Sequence, residues 1–339
     1  EMALAEEFQR GIETIPGIHL YGGEKRVAAI VSCNLADLDS AYVSDCLAED
    51  YGIATRAGVH CAPLMHTHFG TEKQGMVRFS FSCFNTTEEV EKAVRAMQDI
   101  AAENRGKVTA YVGAGGKTSS IRKRAETLRA EGKRVLILTT TKMMVPQEQE
   151  IFAAYEQTGQ ESVISATASV WQERRAAEKQ LKERVQSVLD TYGCCVAGSL
   201  IPGTEKFGML PEKLMEDLLY LADEILIEAD GSAHMPVKAP AEHEPVLFPY
   251  MDEVVIVMGA HAIGKPLQKV CHRVDYAKKI LKCDADKIVT AADIRALAEQ
   301  GYAIPIQKQF PWMKISKVTG KDIKLCLTAE KKDKVRDKQ

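Results

Sequence analysis

No stretch of this 339-residue chain approaches the roughly 20 apolar residues that a membrane-spanning helix needs, so nothing here points to a membrane. There is no surplus of basic charge either. The net charge is −3, which removes the electrostatic reason to expect a nucleic-acid partner. The nine cysteines include no Cys-x-x-Cys pair, are odd in number and are irregularly spaced, so they read as reduced thiols in a cytoplasm. No signal peptide opens the chain. It starts on Glu1 and amphipathic Ala3-Leu4-Ala5-Glu6-Glu7-Phe8, which reads as the interior of a longer protein. What is present is ordinary for a globular chain, 45% apolar and 27% charged, with length for two or three domains.

The most informative stretch is Val108–Ser120. Val108, Ala110 and Val112 alternate with Thr109 and Tyr111, as in a short strand. Gly113, Ala114, Gly115 and Gly116 follow, then Lys117, Thr118 and Ser119, and good helix formers run from Ile121 to Ala130 before Gly132. Strand, glycine loop and helix in that order predict a phosphate cradle. Backbone N–H groups of residues 113–119 would face the phosphates, Lys117 would reach the outer ones, and the Thr118 hydroxyl would hold Mg²⁺. The strict pattern has a glycine where Tyr111 stands, so the loop is a compressed form. A plain strand-to-helix turn with an incidental lysine is the alternative.

Downstream, Arg134–Thr139 is a near-continuous apolar run, as expected of a buried parallel strand, with Thr140 and Lys142 at its ligand-binding end. A charged helix is predicted over 172–190, a short strand over 193–198 and an amphipathic helix over 211–221. The apolar strand from Glu224 ends in Glu228 and Asp230, either of which can meet the cation beside Thr118. A proline-rich loop carries Lys238, Glu242, His243 and Glu244, fixed polar groups or a solvated charged loop. Another buried strand follows at 254–258, then Gly264-Lys-Pro266 and His272-Arg273.

These motifs, Val112–Thr118, Thr139–Lys142, Ile227–Gly231, Lys238–Pro245, Gly264–Pro266 and His272-Arg273, resemble the YqeC family of accessory proteins for selenium-dependent hydroxylases over about 107–305. The resemblance implies a P-loop-like α/β domain with a mostly parallel sheet, and a task in maturing selenium-dependent molybdenum hydroxylases. No Asn-Lys-x-Asp motif is present, so ATP and GTP both stay open as the nucleotide. Residues 314–339 are lysine-rich and read as a solvated, disordered tail.

Before the glycine loop, strands are predicted over 26–32 and 76–83, and a helix over 39–50 with Val43, Leu47 and Ala48 on one face. A further helix is capped by Asn85 or Thr86, with Val90, Ala93, Val94 and Met97 as its buried stripe. Between them, Thr55–Thr71 reads as a loop rich in reactive side chains. Cys61 there can be a nucleophile or a small buried hydrophobe, and His60, Cys61, His66 and His68 can also be read as metal ligands.

Arg56-Ala-Gly-Val-His-Cys-Ala-Pro63, Gly70-Thr71, Gly75–Phe81 and Phe84–Glu89 resemble the C-terminal small domain of class V aminotransferase-fold cysteine desulfurases and selenocysteine lyases over about 1–103. The resemblance implies an α+β unit. In it Cys61 accepts sulfur as a persulfide or assists selenium release, Arg78 binds the substrate carboxylate, and Arg56 and His60 lie beside the site. The residue types suit this, since a thiolate is the sulfur acceptor and a guanidinium fork matches a carboxylate. The family's PLP-binding lysine and large domain lie upstream of anything here, so PLP is implied only together with that domain. Val59 stands where part of the family has histidine, leaving sulfur and selenium both open.

The expected organisation is thus a desulfurase-like domain over 1–104, a Mg-nucleotide-binding α/β domain over 107–313, and the tail. Nucleotide binding or hydrolysis would support selenium or sulfur insertion, with a molybdenum hydroxylase or its maturation proteins as partners and a homodimer implied by family analogy. Two other functions compete with this one. They are the C-terminal part of a PLP-dependent desulfurase or lyase, and a non-catalytic scaffold for a phosphorylated cofactor of molybdopterin type.

Overall fold

The computed structural model describes residues 1–22, 27–156 and 168–319. The chain forms two compact units. One is Glu1–Gly106 with Gln157–Thr191 and Leu210–Asp223, and the other is Lys107–Glu156 with Tyr192–Met209 and Glu224–Gln339.

The first unit is α+β. Its antiparallel sheet has the order β1 (Ile18–Tyr21), β2 (Ile30–Leu35), β3 (Val77–Ser80), flanked by α1 (Met2–Ile12), α2 (Ser40–Tyr51), α3 (Pro63–Phe69) and α4 (Thr87–Asn104). Strand β2 begins later than the apolar run suggests, and Arg26 lies outside the described residues. Pairing of Ile18 with Leu35 and of Ile30 with Ser80 sets the register, and Val27 is left exposed. Thr86, not Asn85, caps α4, and Glu89 reciprocates in a capping box. On α2 Val43 and Leu47 are buried but Ala48 is exposed. Part of the expected Thr55–Thr71 loop is helical. Pro63 opens α3 in its first turn and Gly70, in the left-handed region, closes it.

Two later helices, Ala168–Tyr192 and Glu212–Leu218, contribute to this unit although sequence order sets them among the strands of the other. Asp217 and Lys182 join them to it, with Asp217 2.6 Å from His19 Nε2 and 3.4 Å from Lys182, which also reaches Asp37 at 2.8 Å.

The second unit is built on a mostly parallel sheet. Its strands are β4 (Lys107–Gly113), β5 (Val135–Thr139), β6 (Lys142–Met144), β7 (Phe152–Tyr155), β8 (Cys194–Leu200), β9 (Lys206–Gly208), β10 (Glu224–Glu228), β12 (Glu253–Met258) and β14 (Lys314–Thr319). The short pair β11 (Val237–Lys238) and β13 (Cys271–His272) stands apart. The main order is β14-β12-β4-β10-β5-β8-β9-β6, with β7 also on β8, and among the described residues only β9 runs antiparallel to its neighbours, β8 and β6. Residues 314–319 therefore do not begin a tail. Ile315 and Val318 give them strand character, and they pair in parallel with β12, while 320–339 lie outside the described residues. Helix α5 (Lys117–Ala130) buries Ile121, Ala125 and Leu128 against Tyr111, Val135, Ile137 and Leu226 of the sheet. Register places Gly113 beside Val257, and Glu228 beside both Tyr111 and Thr139, so four strand ends share one edge. Among the described residues no helix is long and apolar enough to cross a membrane.

Candidate functional site

At that edge β4 gives way to the glycine turn. Gly113 (φ +91°) and Gly115 (φ +74°) lie in the left-handed region, where a side chain is strained. Space forbids one as well. A Cβ on Gly113 would come 2.2 Å from the Val257 carbonyl oxygen, and one on Gly115 2.3 Å from that of Pro236. The buried Ala114 N–H donates to Val257 at 2.8 Å. Gly116 then starts α5, and no side chain caps the helix, so its first-turn N–H groups keep their partial positive charge for another acceptor. Gly116, Thr118 and Ser119 are exposed.

Lys117 is buried, and its Nζ donates to the Gly113 carbonyl at 2.7 Å. Burial pushes its ammonium below the ordinary value, against the pull of Glu228 and Asp230. Glu228, the last residue of β10, accepts a hydrogen bond from the Thr118 hydroxyl at 2.9 Å. Burial pushes the Glu228 carboxyl above its usual range despite Lys117 and Thr118. Its carbonyl is held by the Thr139 hydroxyl at 2.9 Å and the Thr140 N–H at 3.1 Å. Thr140 also donates from its hydroxyl to Val246, while Lys142 is exposed on β6.

Asp230 has a different setting. It is buried, and its carboxylate accepts from the Gly113 N–H at 3.1 Å, the Tyr302 hydroxyl at 2.7 Å and Lys238. Lys238, fully buried, also donates to the Gly231 carbonyl at 2.6 Å and pairs with Glu244 at 2.9 Å. Although burial works to raise it, hydrogen bonds from Lys238 and Arg273 hold the Glu244 carboxyl down to about 2. Arg273 reaches Glu244 at 2.8 Å. Lys117, Lys238 and Arg273 thus offset Glu228, Asp230 and Glu244, three charges against three. Glu242 and His243 are exposed on the same loop and take part in none of these contacts. One participant escaped the sequence reading: Tyr302 lies 72 residues beyond Asp230 with no spacing signal.

In the first unit Cys61 is exposed, which separates it from a buried hydrophobe, and the Arg56 guanidinium lies 3.8 Å from its Sγ. His60 Nε2 contacts the Arg56 carbonyl at 2.9 Å, and burial lowers the His60 pKa. Arg56 and Arg78 exchange backbone hydrogen bonds at 3.2 and 2.9 Å, and the buried Arg78 Nε has no partner. His66 is buried against the Thr71 hydroxyl at 2.8 Å, while His68 is exposed. Among the described residues no three His, Cys, Asp or Glu side chains gather as a metal would require, so the four-ligand reading finds no geometry.

Comparison with known proteins divides the chain near residue 100, and its second part takes in residues 157–191 and 210–223, which the structure groups with the first unit. The YqeC protein family profile matches residues 109–275, and that of aminotransferase class-V matches residues 1–93. The chain is 34% identical over 101 residues to a probable cysteine desulfurase of Methanothermobacter thermautotrophicus, covering 30% of this chain and 25% of that one. It is 35% identical over 89 residues to a cysteine desulfurase of Shigella flexneri, covering 26% and 21%. It thus spans a quarter or less of these relatives' length. With the uncharacterized protein YqeC of Escherichia coli K12 it shares 33% identity over 206 residues, 59% of this chain and 70% of that protein. The chain belongs to the YqeC family, with a class V aminotransferase-like segment ahead of the family region.

Proposed function

We propose that the second unit binds a Mg²⁺-nucleoside triphosphate. The observation that carries this reading is the Thr118–Glu228 contact at 2.9 Å beside the uncapped start of α5. A hydroxyl and a carboxylate held together there are a donor set suited to Mg²⁺, which takes few protein ligands and completes its shell with phosphate and water. The free N–H groups of the first helical turn suit phosphate oxygens, and Lys117 would exchange Gly113 for the outer phosphate. Bound there, the cation would offset phosphate charge. In this reading the unit turns nucleotide binding or hydrolysis to the service of selenium or sulfur insertion during maturation of a molybdenum hydroxylase.

A thermal-shift series with ATP, GTP and molybdopterin nucleotides, with and without Mg²⁺, tests the proposal, because a ligand of the folded state raises the melting temperature. Mg²⁺-dependent stabilisation together with phosphate release abolished by Lys117→Ala supports it. Stabilisation without phosphate release supports the scaffold reading instead. No shift with any nucleotide overturns both.

A second reading concerns the first unit. The exposed Cys61 thiol beside Arg56, and the unpartnered Arg78 Nε, suit a sulfur acceptor next to a carboxylate site. The PLP of such a reaction would be held outside the matched 1–93 segment, so Cys61 and the two arginines would receive the substrate while another domain held the cofactor. Supplying a PLP-loaded desulfurase large domain and assaying sulfide release, with Cys61→Ser as control, tests it.

A further inference from the structure

Two carboxylates stand two residues apart at the end of β10, and their surroundings divide their roles. Resting on the nucleotide reading above, we infer that Asp230, Lys238 and Tyr302 are positioning residues that clamp the glycine loop into its phosphate-gripping shape, and that Glu228 alone supplies the cation's protein carboxylate.

Asp230 is buried, and three of the roughly four lone-pair positions of its carboxylate are taken. Its two oxygens take the Gly113 N–H, the Tyr302 hydroxyl and Lys238, all inside the protein. A hydrated cation would have to enter this buried site and compete with those three donors, a costly exchange where water cannot replace them. Glu228 is also buried but accepts from a single side-chain donor, Thr118, which is itself exposed.

The clamp works from two sides. Beneath the loop, Asp230 fixes the first glycine at its N–H. Beyond it, the chain from Gly231 to Lys238 carries the Pro236 carbonyl, which packs so closely on Gly115 that a methyl group there would lie 2.3 Å away. The same carbonyl accepts from the Gly259 N–H at 2.8 Å, which ties this segment to the end of β12. Lys238 closes the segment on itself by holding Asp230, the Gly231 carbonyl and Glu244 together. The loop conformation therefore depends on side chains that never reach a phosphate.

Inorganic tripolyphosphate, which has no base or sugar, is the probe. Its affinity is measured by calorimetry with excess Mg²⁺ and with EDTA, for the full chain and for Glu228→Gln, Asp230→Asn and Tyr302→Phe. Glu228→Gln is expected to lose the gain from Mg²⁺ and keep the EDTA affinity. Asp230→Asn and Tyr302→Phe are expected to weaken binding by similar factors in both conditions, about three- to tenfold for Tyr302→Phe, which gives up one hydrogen bond. A network that only held up the fold would lower the melting temperature and leave affinity alone. Tyr302→Phe removes a single oxygen and keeps the test open should Asp230→Asn not fold. Unchanged affinity in Tyr302→Phe, or loss of the Mg²⁺ gain in Asp230→Asn, overturns the clamp. A wild-type chain that does not bind tripolyphosphate at all overturns the nucleotide reading beneath it, and the two failures cannot be confused.

Discussion

Replacing the loop glycines one at a time by alanine should produce a ranked loss of stability that follows from backbone contacts. At Gly113 the new methyl group meets the Val257 carbonyl oxygen at 2.2 Å, and at Gly115 the Pro236 carbonyl oxygen at 2.3 Å and the Gly259 Cα at 2.8 Å. Neither neighbour is a side chain that can swing aside, so β12 or the 236 segment must move. At Gly116 the nearest atom is a valine methyl at 3.9 Å, an ordinary contact. All three carry positive φ, a conformational strain of about 1–3 kcal/mol for alanine. Displaced packing adds about 1–3 kcal/mol at the first two positions only. Gly113→Ala and Gly115→Ala should therefore cost about 2–6 kcal/mol, and Gly116→Ala about 1–3 kcal/mol, against total stabilities of about 5–15 kcal/mol. Urea unfolding followed by circular dichroism reads the order directly from the midpoints at constant slope. Gly113→Ala unfolding within about 1 kcal/mol of wild type, or Gly116→Ala proving the costliest, would show that the loop is not seated against those carbonyls.

Glu228→Gln should leave the Mg²⁺-free protein at least as stable as wild type at pH 7. Burial raises this carboxyl in the folded state, so wild type loses stability relative to the variant as pH climbs from about 4.5 through the raised native value; a variant clearly less stable at pH 7 refutes this. Glu244 behaves in the opposite sense. Its native carboxyl is held down to about 2, so its contribution is complete above about 4.5 and fades as pH falls towards 2, and the acid unfolding curve of Glu244→Gln should lack that component. Among the eight described cysteines, maleimide should reach the exposed Cys61 and Cys83 in the folded protein and leave Cys33, Cys194, Cys195 and Cys271 unlabelled until urea is added. Burial pushes the Cys33 thiol up to about 12 and that of Cys194 to about 11, and mass mapping of the labelled peptides checks the pattern.

Much of the fold was legible because local and global signals agree in it. The alternation of Val108, Ala110 and Val112, the apolar run from Val135 and the strand to Glu228 each report burial in a central parallel strand, and each is central in the sheet. What escaped depends on distant partners. Lys314–Thr319 was hidden by its lysines, since a strand can be recognised from neighbouring charges only once its pairing with β12 is known. The helix at Pro63–Phe69 was concealed by histidines that draw attention as chemistry, although Pro63 and Gly70 mark its ends. In the site, glycine, lysine and threonine announce themselves by spacing, and so does an acidic strand end. Tyr302 does not, because its hydroxyl matters only through Asp230, 72 residues earlier.

The two carboxylates show why spacing alone could not choose between them. Period-two alternation puts residues 228 and 230 on one face for as long as the chain stays extended, and both then look equally able to meet a cation. But β10 ends at Glu228. Past that point the Ala229 N–H still donates to the Tyr111 carbonyl, while the Asp230 side chain lies under Gly113 and is met by Lys238 and Tyr302. The carboxylate still inside the strand keeps to the exposed Thr118 at the start of α5, and the one just beyond it becomes part of the loop's foundation. Two residues of chain thus separate a group able to hold a ligand from a group that shapes the ligand's seat.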